Sequence, residues 1–323
     1  MSVIDTLSAG FDTITRRLWL ITLPVLVDLY LWRGPQLSIL PVARQVASLL
    51  RRLPEANLGS MPPSALAQVV EEIGREFNLF SLLHNSLMGM PSLIAWAASG
   101  VGSGQVRNVI EIQSGGKLAL ISIALLLLGV LIGSFYLVPM ALVVRQERLS
   151  VGEVWRRAWH CWTWVVVLII LLLGAGLLIN LAISMATLLV AFINQSAAQG
   201  LLSMLELIGL GLGLWLALNT FFTIEALVLQ DIGLIQAVWY SFNVVRRNFW
   251  ATLGLIFLTI LIQLGFGQIW QRLNTGSWQT FLSILGNAYI GSGIMAAIMT
   301  FYLDRYRRWQ GEQAPEAVEN KGG

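Results

Sequence analysis

The stretch Trp162–Ile193 contains no charged side chain, and this feature constrains the fold more than any other. It is longer than the roughly 20 apolar residues that a helix needs to cross a bilayer. Charged residues make up only 11% of the 323-residue chain, against about a quarter in water-soluble domains. The chain is 56% hydrophobic, with a mean hydropathy of +0.73. Because so little polar surface is available, we predict an all-α, polytopic membrane protein.

Other classes of protein fit the residue content poorly. Cys161 is the only cysteine, which excludes a disulfide scaffold. The net charge is only +3, so nucleic acid is not an expected partner. His160 and Cys161 are adjacent and point to different sides of a helix, so they do not form a metal site with His84. No phosphate-binding glycine loop of the Walker type is present, and we expect no cofactor.

Six membrane-spanning helices are predicted from length and hydropathy. The shortest candidate, Leu18–Trp32, contains Pro24 and follows two arginines, as the apolar region of a signal peptide does. No small-residue cleavage site follows it, so we expect an uncleaved first span. The other five stretches are long enough by themselves: Leu118–Val144, Trp162–Ile193, Leu201–Leu229, Phe249–Trp270 and Phe281–Leu303.

The distribution of arginine and lysine sets the expected orientation. Most of the 20 basic residues lie at the N-terminus, in the loops 145–161 and 230–248, and in the C-terminal tail. Basic residues in short loops stay on the cytoplasmic side, whereas long translocated segments count little. Both termini are therefore predicted to be cytoplasmic.

The spans divide the chain into four regions. Residues 1–32 form a cytoplasmic interfacial helix and the first span, and residues 33–117 form a helical extracytoplasmic insertion. Within the insertion, residues 82–99 carry no charged side chain but include His84, Asn85, Gly89 and Pro91. This is typical of either an interfacial or a re-entrant segment. Residues 118–309 hold the other five spans. The polar residues 310–323 are predicted to be a disordered cytoplasmic tail.

A repeated motif organises the spans. Three of them carry, toward their ends, a hydroxyl residue followed by two aromatic residues: Ser134-Phe135-Tyr136, Thr220-Phe221-Phe222 and Thr300-Phe301-Tyr302. An amphipathic segment that leads into tryptophan precedes each odd-numbered span. We therefore predict three units, each an interfacial helix followed by a helical hairpin, with the insertion lying inside the first hairpin.

The region Glu225–Trp250 supports a resemblance to a known group. An aromatic and acidic helix end leads to Asp231, Ala237, Ser241 and the triplet Asn248-Phe249-Trp250. This pattern resembles the membrane domain of glycerophosphoryl diester phosphodiesterases and related uncharacterised bacterial multi-pass membrane proteins, over residues 118–308. The resemblance implies a six-helix membrane fold and a bacterial cytoplasmic membrane. The catalytic half of those phosphodiesterases is missing, so their activity is not carried over.

Polar residues within the spans are the candidate intramembrane sites, because a charge in lipid is costly. Glu225 is the strongest candidate, although it lies close enough to the cytoplasmic interface to be solvated or paired with Arg246 or Arg247. Asp28 could instead pair with Arg33, and Glu206 could favour the N-terminus of span four. Asn180 and Asn219 are expected to hydrogen-bond between helices.

Arginines near the cytoplasmic ends are the candidate lipid contacts. Arg156 and Arg157 lie on the polar face of the segment 150–161, and Arg246 and Arg247 lie on that of the next interfacial helix. We expect the segment 150–161 to lie along the membrane surface as a separate amphipathic helix. The alternative is that its apolar face packs against the helix at 232–249, so that its arginines matter little.

Two functions are compatible with these features. The first is a non-enzymatic membrane protein that organises lipids or partner subunits, as a homo-oligomer or with another membrane protein. The second is a transporter or channel with a path between the hairpins. Matching helix breaks or mid-membrane charge pairs would favour transport. Because the acidic residues lie at span ends, the first function is preferred.

Overall fold

The computed structural model describes residues 1–53, 62–84, 86–95, 108–273 and 277–319. It is 84% helical with almost no sheet, which confirms the all-α membrane class. The helices are α1 (Val3–Arg16), α2 (Thr22–Arg33), α3 (Leu40–Leu50), α4 (Pro63–Glu76), α5 (Gly115–Val144), α6 (Val151–Ala191), α7 (Gln195–Asn219), α8 (Thr223–Gln230), α9 (Leu234–Arg247), α10 (Phe249–Leu273) and α11 (Ser277–Glu319).

Within the described residues, five helical segments are long and apolar enough to cross a membrane. They are α5, α6, the combined segment Gln195–Gln230, α10 and α11. The sixth predicted span is not among them. Residues Leu18–Ile21 form a 3-10 helix, and α2 has 12 residues, or about 18 Å, against a hydrocarbon core of about 30 Å. A helix begins readily just before a proline, and α2 begins two residues before Pro24.

The prediction of a separate surface helix at 150–161 is wrong. Helix α6 runs without a break from Val151 to Ala191. Ser150 caps it by accepting a hydrogen bond from the backbone N–H of Glu153 at 3.3 Å. No glycine or proline lies between Glu153 and Leu173. The amphipathic turns therefore continue into the apolar ones as one helix of 41 residues.

The insertion contains two helices, and a short sheet joins the residues at which the chain enters and leaves it. Helix α4 begins at Pro63 and packs against α3. Two short parallel strands, β1 (Gln36–Ser38) and β2 (Val109–Glu111), pair where the chain enters and leaves the insertion. This sheet was not predicted, because a three-residue strand has no recognisable periodicity.

The part of the insertion after α4 packs against the middle of two long helices. Two 3-10 helices, Leu79–Leu83 and Ser86–Met88, follow α4. A Cβ at Gly129, halfway along α5, would overlap the backbone of Leu82 and Leu83. A Cβ at Gly291, halfway along the apolar part of α11, would overlap Pro91. The irregular segment 79–95 therefore reaches the midpoints of both helices.

Helix α1 packs closely along α11. Gly10 allows this approach, since a Cβ there would lie 2.5 Å from the backbone nitrogen of Ala297. Ser2 and Asp5 form a capping box at the start of α1, and these hydrogen bonds hold the pKa of Asp5 below its ordinary value.

The largest buried cluster joins α5, α8, α9 and α11. Phe222 and Tyr302 are fully buried there, with ring centroids 5.7 Å apart. Helix α11 continues to Glu319, through most of the segment for which the sequence predicts a disordered tail.

Candidate functional site

The C-terminal ends of α5 and α8 meet the first turns of α6, where charged side chains form a network. Gln146 and Asp231, which follow α5 and α8, both adopt left-handed backbone conformations, with φ of 61° and 53°. Arg145 donates a hydrogen bond to the carbonyl oxygen of Leu229 and so ties the two helix ends together. The left-handed turns bring the carboxylates Glu147 and Asp231 toward α6.

Arg156 and Arg157 are held by this network. Arg157 contacts Glu147 at 3.1 Å and Glu153 at 2.6 Å, and its side chain is only 15% exposed. Arg156 contacts Glu153 at 2.9 Å and Asp231 at 3.1 Å. The arginines and carboxylates balance in charge, so the network has little excess positive charge to attract an anionic lipid. Within the described residues, both arginines therefore have protein carboxylates as partners.

Arg246 and Arg247 have a different environment. They lie in the last turn of α9 and are exposed. Trp250, at the start of α10, is 80% exposed, and Trp239 on α9 is 59% exposed. Exposed arginine beside exposed tryptophan is typical of the lipid headgroup region. Arg246 and Arg247 therefore stay candidate lipid contacts on an exposed, tryptophan-bearing surface.

The segment Gln195–Gln230 is interrupted at residues 220–222, between α7 and α8. Ser241 of α9 fills the interruption: its hydroxyl donates to the carbonyl oxygen of Asn219 at 2.8 Å and accepts from the N–H of Phe222 at 3.0 Å. Ser241 is completely buried. It therefore satisfies two backbone groups that the break would otherwise leave without partners in a dry interior.

Glu225 lies one turn after this break, in the first turn of α8, and is 6% exposed. Its Oε2 atom has no hydrogen-bond partner among the described residues, and neither do the Tyr302 hydroxyl or the Thr223 hydroxyl. The contacts with Arg246 or Arg247 that the sequence allowed are not among the ion pairs of the described residues. Glu225 is therefore a buried acid at a helix break, near an unpartnered tyrosine hydroxyl.

Asp28 is the second buried acid and is 1% exposed. Its carboxylate accepts hydrogen bonds from the Ser92 hydroxyl and, at 2.7 Å, from the backbone N–H of Leu93. Arg33, the partner that the sequence offered, instead has its guanidinium carbon 4.3 Å from the ring centroid of Trp32. Asp28 thus anchors the segment 79–95 to α2.

His84 lies in the same irregular segment as Ser92. Its side chain is buried, at 8% exposed. No group of three or more histidine, cysteine, aspartate or glutamate side chains among the described residues has the spacing of a metal site.

The remaining candidates do not converge on either acid. Asn180 and Asn219 each donate to a carbonyl of their own helix, at 2.8 Å, rather than to a neighbouring helix. Glu206 is exposed and lies well past the first turn of α7, which begins at Gln195, so the positive helix terminus does not account for it.

No protein-family model, curated protein or solved structure matches this chain. The site therefore has to be interpreted from its own geometry. The sequence did not identify Ser92 as the partner of Asp28, nor Ser241 as the residue that joins Asn219 to Phe222. Each acts on a partner far away in the chain, and a single buried serine carries no local signal of that kind.

Proposed function

We propose that this chain is a non-enzymatic integral membrane protein that organises membrane lipids or partner subunits. The observation that carries the proposal is the surface of the α6–α7 hairpin. No residue in the most apolar 18-residue window of α6, or of the segment Gln195–Gln230, is buried inside the protein. Apolar surface of this extent needs lipid or another protein to cover it.

The topology proposed with this role has both termini in the cytoplasm, the segment Leu18–Trp32 as a short sixth span, and the insertion outside. The bacterial cytoplasmic membrane is proposed from the resemblance described above. In this arrangement the segment 79–95 is re-entrant, because it contacts α5 and α11 at their midpoints. Irregular backbone is tolerated at that depth when protein surrounds it, and the hydrogen bonds of Asp28 meet this requirement.

The three-unit repeat remains part of the proposal and has two supports. Tyr136 and Phe222, which end the first two motifs, lie the same number of residues before the ends of α5 and α8. A non-glycine residue in the left-handed region follows each of these ends. The third motif differs, since α11 continues past the corresponding position.

Native mass spectrometry of the protein extracted in lipid nanodiscs tests this role. We expect bound phospholipid or a stoichiometric partner subunit to stay with the protein after the surrounding lipid is stripped. A bare chain that retains neither would contradict the proposal.

A transporter or channel is the second candidate, and Glu225 is the observation that favours it. A buried acid beside a broken helix is a common feature of ion and proton pathways. Proton flux into proteoliposomes that contain a pH-sensitive dye tests this candidate. If transport is the function, Glu225→Gln abolishes the flux, whereas Glu206→Gln, at an exposed position, leaves it intact. The absence of flux in the unmodified protein removes this candidate.

A further inference from the structure

Two charged residues stand apart on the outer half of the long helices. Glu206 lies on α7 and Arg272 on α10. Both side chains are exposed, and neither forms an ion pair with any residue in the described ranges. Both positions lie toward the outer ends of their helices, where an opposite charge on a neighbouring chain could reach them.

The two charges lie at nearly the same height. Counted from Gln230, at the cytoplasmic end of the α7–α8 segment, Glu206 is about 36 Å along the helix. Counted from Phe249, at the cytoplasmic start of α10, Arg272 is about 35 Å along. If two copies of the chain stand side by side in the same orientation, the carboxylate of one therefore lies level with the guanidinium of the other.

The surfaces below the two charges also match. Gly209 and Gly213 lie three and seven residues after Glu206 and so share its face of α7. Gly265 lies seven residues before Arg272 and shares its face of α10. A Cβ at any of these three glycines would meet no atom within 4 Å, so the two faces are open within one chain. Small residues allow membrane helices to approach closely, and here they lie about 5 to 10 Å along the helix from the charges.

We propose that the protein self-associates in the membrane, with α7 of one copy against α10 of a second copy and Glu206 opposite Arg272. A second copy is the occupant because both halves of the contact are present in this chain, opposite in charge and equal in height. The faces around them are apolar: Leu210 is 61% exposed on α7, and Leu264 is 65% exposed on α10. The inference deepens the proposed organising role and rests on it for the membrane orientation.

Mixed cysteine crosslinking tests the contact. Two differently tagged chains are co-expressed in a Cys161→Ala background, one carrying Glu206→Cys and the other Arg272→Cys. Oxidation should give a covalent species that carries both tags, which a bond within one chain does not produce. Leu207→Cys, paired with Arg272→Cys, is the matched control: it is 71% exposed and adjacent, but it points about 100° away around the helix. We expect its crosslinking yield to be several-fold lower.

Charge reversal gives a second measurement, without cysteines. Glu206→Arg or Arg272→Glu alone should lower the oligomeric fraction in bilayers up to about fivefold, as expected for the loss of an exposed ion pair, and the double variant should restore it. A mixed crosslink no stronger than the control, or single variants that associate like the unmodified chain, would overturn self-association. Native mass spectrometry separates the two failures. A monomer that still retains lipid contradicts only this contact, and a monomer that retains nothing contradicts the organising role as well.

Discussion

Replacing Ser241 with alanine should destabilise the protein more than its size suggests. The hydroxyl of Ser241 joins the backbone oxygen of Asn219 to the backbone N–H of Phe222 across the break between α7 and α8. Alanine keeps the packing volume almost unchanged but removes both hydrogen bonds. Because Ser241 is completely buried and Phe222 is as well, water cannot replace it.

The expected loss follows from those two backbone groups. A buried donor or acceptor that loses its partner costs about 1–3 kcal/mol, so Ser241→Ala should lower the free energy of unfolding by roughly 2–6 kcal/mol. Ser283→Ala is the matched control. Ser283 is equally buried, but its hydroxyl donates only to Gln279, one turn back on its own helix. That carbonyl keeps its place in the helix after the substitution, so the control should cost less than about 1 kcal/mol.

The measurement is equilibrium unfolding in mixed micelles, with tryptophan fluorescence as the signal. Three proteins are compared at one temperature: the unmodified chain, Ser241→Ala and Ser283→Ala. If both variants unfold at the same denaturant fraction, the break does not depend on Ser241. The assignment of this serine as the residue that permits the break would then be refuted.

Two further predictions concern the segment 79–95 and the arginines of α6 and α9. Gly129→Ala should destabilise the protein by about 1–3 kcal/mol in the same unfolding assay, because its Cβ would overlap the backbone of the segment 79–95. Gly174→Ala, where a Cβ meets open space, should be nearly neutral. Equal effects of the two substitutions would argue against this packing. Replacing both Arg246 and Arg247 with alanine should reduce the amount of anionic lipid that mass spectrometry detects after purification. Replacing both Arg156 and Arg157 should leave that amount unchanged, because their side chains bind carboxylates. The opposite order would contradict the assignment of Arg246 and Arg247 as lipid contacts.

The long apolar helices are predictable from the sequence because charge-free stretches of this length have few alternatives. The continuity of α6 was missed for a local reason. Its first turns have the amphipathic pattern of a surface helix, but neither glycine nor proline follows to end them before Leu173. An amphipathic pattern alone does not distinguish a separate surface helix from the water-exposed end of a long membrane-spanning helix.

The break before α8 could not be predicted either. Residues 214–230 contain neither glycine nor proline, and the serine that stabilises the break belongs to the next helix. The same limit applies to Asp28, whose position in the sequence suggests Arg33 as a partner, although Ser92 and Leu93 bind it in the fold. Contacts between distant segments decide both sites, and a single sequence contains no direct record of them.

The membrane orientation is the claim on which the rest of the account depends, and single-cysteine labelling in cells tests it most directly. In a Cys161→Ala background, Ser48→Cys places an exposed thiol on α3, in the insertion, and Arg148→Cys places one in the exposed turn between α5 and α6. We predict that a membrane-impermeant maleimide labels the thiol at position 48 in intact cells and the thiol at position 148 only after the membrane is opened. Labelling at position 148 in intact cells, with protection at position 48, would contradict the account.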